Sequence, residues 1–447
     1  MNQSVLTQPV VRHLAELFPL AWPVIVSRAG IMLMVVVDTI MVGRYSAIEL
    51  GYLGIGAGTV SLLVVSGLGL ILGTQVLAAS AFGSGAWREC GAIWRRSLPY
   101  ALGLGAIGTA LCLLGEPLLH LTGQSADIAK HGGRVIAIFG LGLPAYLLWI
   151  TTTFFLEAIK KPKPGMITII IANLANVPLN GLLVYGKAGF PELGAEGSAW
   201  ATTTVRLLLG LGLALYAWHM ADGEKFGVRH QPTGGWRAGA RQRAIGYAAG
   251  ASLASELLAF SILTQFAGWL GPLDLAGYSI VINLIGLPFM IAVGLGSATA
   301  IQVSIAASRH DRRDVALAGW TGLGVNCAAM LATGLLFWAT RHDFAALFTT
   351  DPAVIALAAA LIALAPLMLL FDGGQTVLAN ALRGLGETWA PFMIVTLSYM
   401  VIMLPASWLL AFPLGGGARG LIGGLIVGAI IAIILLSFRF HRLTRRK

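Results

Sequence analysis

Twelve stretches of this chain are each apolar for about 20 residues, the length a helix needs to cross the hydrocarbon of a bilayer. They run near 17–41, 52–80, 97–115, 133–157, 164–185, 195–219, 244–270, 277–305, 315–338, 354–381, 391–411 and 418–438. Hydrocarbon offers no water to satisfy stray backbone groups, so runs of this length specify helices that complete their own hydrogen bonds. Only 11% of the 447 residues are charged, against about 25% in a soluble domain. The reading is an all-α polytopic membrane protein with twelve transmembrane helices.

The net charge of +10 invites a nucleic-acid reading, but its placement excludes one. With the N-terminus inside, twenty-one Lys and Arg fall at cytoplasmic ends, among them Arg12, Arg95, Arg96, Lys160, Lys161 and the tail Arg442, Arg445, Arg446, Lys447. Six (Arg44, Lys130, Arg134, Lys187, Arg341, Arg419) fall in the opposite loops. The positive-inside rule then puts both termini in the cytoplasm, and the expected location is the cytoplasmic membrane. The first span reads as its own insertion signal. Cys90, Cys112 and Cys327 are isolated, with neither metal-ligand spacing nor a disulfide framework.

The chain repeats itself. Gly67, Gly69, Gln75, Val76 and Ala79 recur 227 residues later as Gly294, Gly296, Gln302, Val303 and Ala306. At a spacing of 223, Ala158, Ile159 and Lys160 answer to Ala381, Leu382 and Arg383, and Gly197 answers to Gly420. Small residues also recur in membrane helices simply because they pack interfaces, but a glutamine at matching depth favours duplication. Six spans per copy is an even number, so both halves enter from one side as a parallel repeat. The expectation is two pseudo-symmetric six-helix lobes, 1–219 and 244–447, joined by a polar cytoplasmic linker, 220–243.

Charges inside spans are few. Of nineteen acids, Asp38, Glu256 and Asp372 alone lie well within apolar runs, where insertion scales assign a mid-span charge about 2.5–3.5 kcal/mol. Glu157 falls at the cytoplasmic end of the fourth span, and an interfacial role beside Lys160 and Lys161 is expected. All eight histidines fall in loops or at span ends, so a proton relay in the bilayer must use carboxylates. Arg28 and Arg206 also lie in spans, and both are expected to snorkel towards water. Asn173, Asn176 and Asn180 share one helical face; they suit either a polar site or interhelical hydrogen bonding.

Taken together, the first span with VDTIMVG at 37–43, ANLANVPLN at 172–180, the PKP loop and FDGGQTVLANALRGLGETWAP resemble the multidrug and toxic compound extrusion (MATE) transporters, in their NorM-like bacterial branch. The resemblance covers essentially the whole chain. It implies that Asp38 is the acid of the first lobe, with Asn176 and Asn180 beside it, and that Glu256 and Asp372 form a cation or proton site in the second. Gln75, Asn283, Gln302 and Gln375 would support these sites. Some relatives carry a tyrosine a turn before the second acid, where this chain has Met368. A thioether is a poor sodium ligand, so sodium at Glu256 and Asp372 stays open and the proton is favoured.

The implied activity is secondary antiport. A cleft between lobes would open alternately to each side, and proton and cationic substrate would compete for buried carboxylates whose charged form desolvation penalises. Substrates would be small amphipathic organic cations, exported in exchange for protons or sodium. The partners are those substrates and the bilayer, with no nucleic acid, no cofactor and a monomeric state. A lipid-linked precursor or polysaccharide flippase is the alternative within the wider superfamily, although it calls for more cavity cations than Arg28 and Arg206. A passive channel needs no lone buried acids, and nothing assembles an enzyme's nucleophile or metal centre.

Overall fold

The computed structural model describes residues 3–230 and 235–445, with side chains from residue 10 onward. Residues 231–234 of the expected linker, and Arg446 and Lys447 of the basic tail, lie outside the described residues. Every regular element described is helical. The first half comprises α1 (Gln3–Tyr45), α2 (Ala47–Gly83), α3 (Trp87–Cys112), α4 (Gly115–Leu121), α5 (Ala126–Leu141), α6 (Leu143–Ala158), α7 (Lys163–Leu183) and α8 (Gly194–His219). After a short α9 (Gly235–Ala238), the second half comprises α10 (Ala240–Leu270), α11 (Pro272–Ser308), α12 (Arg312–Ala339), α13 (Arg341–Phe348), α14 (Pro352–Ile362) and α15 (Ala365–Gly384). It closes with α16 (Trp389–Thr396), a π-helical turn (Leu397–Met403), α17 (Leu404–Ala411) and α18 (Gly417–Arg445). Among the described residues nine helices are long and apolar enough to cross a membrane, and three bent pairs bring the spans to twelve.

The contacts gather into two compact units. One is Val26–Gly250; the other is Ala251–Lys447 together with Met1–Ile25, so far as these are described. Each is built by the same local physics. In the first, α5 and α6 are bent by 41°, and in the second α14 and α15 by 50°. Pro144 and Pro366 stand in the first turn of the later helix of each pair. Proline has no N–H to donate and its ring crowds the preceding turn, which favours a bend there. A glycine on a neighbouring helix packs against each proline: a Cβ on Gly105 would lie 2.3 Å from Pro144 Cα, and one on Gly334 would lie 2.5 Å from Pro366 Cα.

A second device recurs where the last span of each unit begins. Glu49, at the start of α2, accepts a hydrogen bond from the Ala195 backbone N–H at 2.8 Å. Asp274, at the start of α11, accepts one from the Ala418 N–H at 2.7 Å. Each carboxylate satisfies an amide that the first turn of a helix leaves open, and its charge complements the positive end of the helix dipole. Gly194 and Gly417 precede these amides with φ of 54° and 55°, a backbone region that side chains disfavour.

Lipid-facing surfaces follow the inverse of a soluble pattern. On α8, Leu207, Leu208, Leu211 and Leu215 are exposed, whereas Thr202, Val205, Leu209 and Leu213 are buried. The run after α8 does not behave as a free polar linker: Phe226 and Val228 are buried, Phe226 stacks on Phe82, and its carbonyl accepts from the Gly91 N–H. A hydrogen bond from Lys161 holds the Asp222 carboxyl below its ordinary pKa. Two apolar side chains in a polar run suffice to dock it on α2 and α3.

Gly194→Ala should lower stability by more than the roughly 1–2 kcal/mol of a left-handed non-glycine residue, because its Cβ would lie 2.5 Å from Glu49 Oε2. Gly123→Ala, at φ 80° with open space around it, should cost the backbone term alone. Thermal melting of the detergent-purified variants measures both, and equal shifts would show that the Glu49 clamp contributes nothing.

Candidate functional site

The first cluster lies wholly within the unit Val26–Gly250. Asp38 on α1 is 5% exposed, and Asn176 and Asn180 on α7 are fully buried. Asn180 Nδ2 donates to Asp38 Oδ1 at 2.8 Å, and Thr202 Oγ1, from α8, donates to Asp38 Oδ2 at 2.6 Å. Asn176 joins both donors: its Oδ1 accepts from Asn180 Nδ2 at 2.9 Å, and its Nδ2 donates to Thr202 Oγ1 at 3.3 Å. Each carboxylate oxygen thus meets a neutral donor, and among the described residues none of its hydrogen bonds comes from Lys or Arg. Asn180 Oδ1 is buried and, among the described residues, has no hydrogen-bond partner. The arrangement can hold a charge while leaving it free to be neutralised from outside the cluster.

Pro178 lies between the two asparagines and removes a rung of the α7 ladder there. Asn173 shares their face but bonds elsewhere. Its amide donates to Gly30 O at 3.0 Å and to Ile169 O at 2.9 Å, tying α7 to α1. Thr202 escaped the sequence reading because a threonine inside a membrane helix normally bonds its own backbone and carries no distinguishing pattern.

The second cluster lies within the other unit. Gln375 Nε2 on α15 reaches Glu256 Oε1 of α10 at 3.4 Å and Asp372 Oδ1 at 3.5 Å, so one amide nitrogen bridges the two acids. The Tyr399 hydroxyl donates to Asp372 Oδ1. Tyr399 sits on the π-helical turn Leu397–Met403 and is fully buried, with Phe260 6.1 Å away, ring to ring. A π-turn adds a residue to the helical repeat and so redirects side chains, which is why such turns gather at functional sites. Further along α15, Arg383 donates to Ser252 Oγ at 3.0 Å and to Asn380 Oδ1 at 3.4 Å.

Comparison with known proteins agrees with this architecture. Residues 23–182 and 248–409 match the MatE family. The chain belongs to the MatE family. It is 38% identical to a probable multidrug resistance protein NorM of Caulobacter vibrioides, over 98% of this chain and 93% of that one. It is 29% identical to the multidrug resistance protein PmpM of Pseudomonas aeruginosa, over 97% of this chain and 92% of that one. Among solved structures, the eukaryotic MATE transporter AtDTX14 superposes with a TM-score of 0.88 at 20% identity, covering 98% of this chain and 99% of the other. The MatE proteins are transporters, not enzymes.

Within this MatE chain, several side chains lie elsewhere than the sequence suggested. Arg28 does not snorkel: it is 4% exposed, its Nη2 is 3.2 Å from Glu157 Oε1, and it lies over the Phe154 ring. Arg206 does not reach for water either; its guanidinium lies 5.3 Å from the Tyr146 ring centre and 5.5 Å from that of Phe139. An acid or an aromatic face inside the fold solvates a guanidinium, so it need not reach outward. Gln75 donates to Glu157 at 2.6 Å, and Gln302 donates to the His13 carbonyl at 3.3 Å, so neither glutamine joins an acid cluster of Asp38 or Asp372.

Asn283 is exposed and donates to Ser279 O at 2.8 Å, outside the Asp372 cluster. Met368 is buried in the apolar core of its unit. The phenol that the sequence missed near Asp372 is supplied by Tyr399, 27 residues further on. Among the described residues no group of three or more His, Cys, Asp or Glu could hold a metal ion.

The Arg28–Glu157 pair makes a clear prediction. Arg28→Met or Glu157→Met alone should destabilise the protein by about 3–5 kcal/mol, because each takes the opposite charge from a buried ion, whereas the double variant should recover part of the loss, Gln75 losing its Glu157 acceptor. A double-mutant cycle on melting temperatures tests this; additive losses would mean that the two side chains act independently.

Proposed function

We propose that this protein is a multidrug efflux antiporter that exports amphipathic organic cations in exchange for protons or sodium. The observation that carries the reading is the pair of buried carboxylate clusters, one in each unit, held by neutral donors. A carboxylate without a bonded cation can exchange a proton for a cationic substrate, and that exclusion gives antiport without a separate relay. Such intramembrane acids mark ion and substrate pathways. The names of the NorM and PmpM relatives support drugs as the cargo.

In this reading Asp38 is the exchanging group of the first cluster. Thr202 and Asn180 hold its ionised form, and the unpartnered Asn180 Oδ1 is an acceptor available to the protonated carboxyl. In the second cluster Glu256 and Asp372 share the Gln375 amide, so a proton on one relieves repulsion between them. Tyr399 adds a hard oxygen beside Asp372, so the second cluster can serve sodium as well as protons even with Met368 in the core. The lobes act as 1–219 and 244–447, joined by 220–243, in a bacterial inner membrane with both termini cytoplasmic, and transport proceeds by alternating access.

Asp38→Asn should reduce coupled efflux of a fluorescent organic cation from proteoliposomes to background at unchanged expression and folding. Unaltered transport would leave Asp38 a structural role only. Glu256→Gln and Asp372→Asn should each depress efflux driven by a proton gradient in sodium-free buffer. If both match the unaltered protein there, while sodium stimulates the unaltered protein, the second cluster is a sodium site rather than a proton store.

A further inference from the structure

Beside α3 and the start of α10, in the unit Val26–Gly250, a cavity of about 260 Å³ is lined by Arg95, Arg96 and Arg243 together with Tyr100 and Trp236. We propose that it binds the phosphate of an anionic phospholipid headgroup. Three arginines line it, and among the described residues one carboxylate pairs with them: Glu89 with Arg96, whose Nε also donates to the Ala92 carbonyl. Arg95 donates to a backbone carbonyl, that of Arg229, and its guanidinium lies 5.1 Å from the Trp218 ring centre. Arg243 has no carboxylate in an ion pair among the described residues. Its guanidinium lies over Trp236, 3.8 Å from the ring centre, and Tyr100 meets that ring edge-on at 6.1 Å.

Stacking of this kind uses the face of the guanidinium and leaves its N–H edge for a bidentate acceptor, the geometry that phosphate offers. Gly239 gives Arg243 the room: a Cβ there would lie 2.8 Å from Arg243 Nη1. Tyr100 also lines the cavity; its hydroxyl is buried, with the Tyr247 phenol as its neighbour. The surroundings place this phosphate on a lipid. Trp236 is 62% exposed, Tyr247 stands exposed one turn beyond Arg243 on α10, and Leu102 is exposed beyond Tyr100 on α3. Aromatic residues at the junction of a basic end and an apolar span mark headgroup depth, and basic pockets between spans take anionic headgroups. An acyl chain leaving the phosphate would run along Leu102 and Tyr247.

The test is native mass spectrometry of the detergent-purified full chain titrated with dioleoyl phosphatidylglycerol, with dioleoyl phosphatidylcholine and inorganic phosphate as separate arms. Phosphatidylglycerol should be retained over phosphatidylcholine. Arg243→Gln and Arg95→Gln should each weaken retention about fivefold, the effect of one cation near a lipid surface. Arg243→Gln breaks no side-chain hydrogen bond among the described residues, and its melting temperature confirms folding. Arg237→Gln, which removes a charge from the neighbouring α9 outside the cavity lining, should leave retention unchanged. Equal loss in Arg237→Gln would assign the effect to general surface charge and overturn the site. Inorganic phosphate displacing the lipid at equal concentration would make it a free-phosphate site and overturn the lipid assignment, as would unchanged retention in Arg243→Gln and Arg95→Gln.

Discussion

A carboxylate within a bilayer must be met by donors that the fold itself supplies, and much of this structure answers that demand. Asp38 draws one donor from α7 and one from α8, so three helices must pack together before the charge is tolerable. Asn176 then holds both donors, and the four side chains form one connected network. In a low-dielectric interior such a network is worth more than its separate bonds, and a gap in it is correspondingly costly. The same demand explains Arg28, whose charge is met by Glu157 and by the face of Phe154 instead of by water.

The second unit meets an equivalent demand with different chemistry. Two acids share one amide, and the nearest hydroxyl comes from a π-turn rather than from the helix that carries Asp372. Two carboxylates with one bridging amide are poorly satisfied when both are ionised, whereas Asp38 has a donor on each oxygen. The Glu256–Asp372 pair is therefore less fully bonded by its own unit than Asp38 is by its own.

What the halves share is geometric. Both break a span at a proline packed against a glycine, and both bind the first turn of their last span with an acid from the start of their second. These features fix helix ends and approach distances without touching the acid clusters.

The number and position of the spans, and the acids that lie inside them, could be read from the sequence because the bilayer imposes a strong rule: apolar runs of fixed length, with every internal charge an exception. The expectation of a parallel repeat rested on Gln75 and Gln302 at matching depth, and those glutamines bond different partners, Glu157 and the His13 carbonyl. Tertiary structure alone decided the partners. Thr202 and Tyr399 lie 164 and 27 residues from the acids they serve, and neither has a local pattern that distinguishes it from other residues of its helix. Arg28 and Arg206 show the limit from the other side: hydropathy predicts snorkelling because it sees only bilayer and water, whereas the fold adds a third environment of acids and aromatic faces. One-dimensional periodicity records which residues leave water; which of them then meet is set by helix packing across hundreds of residues.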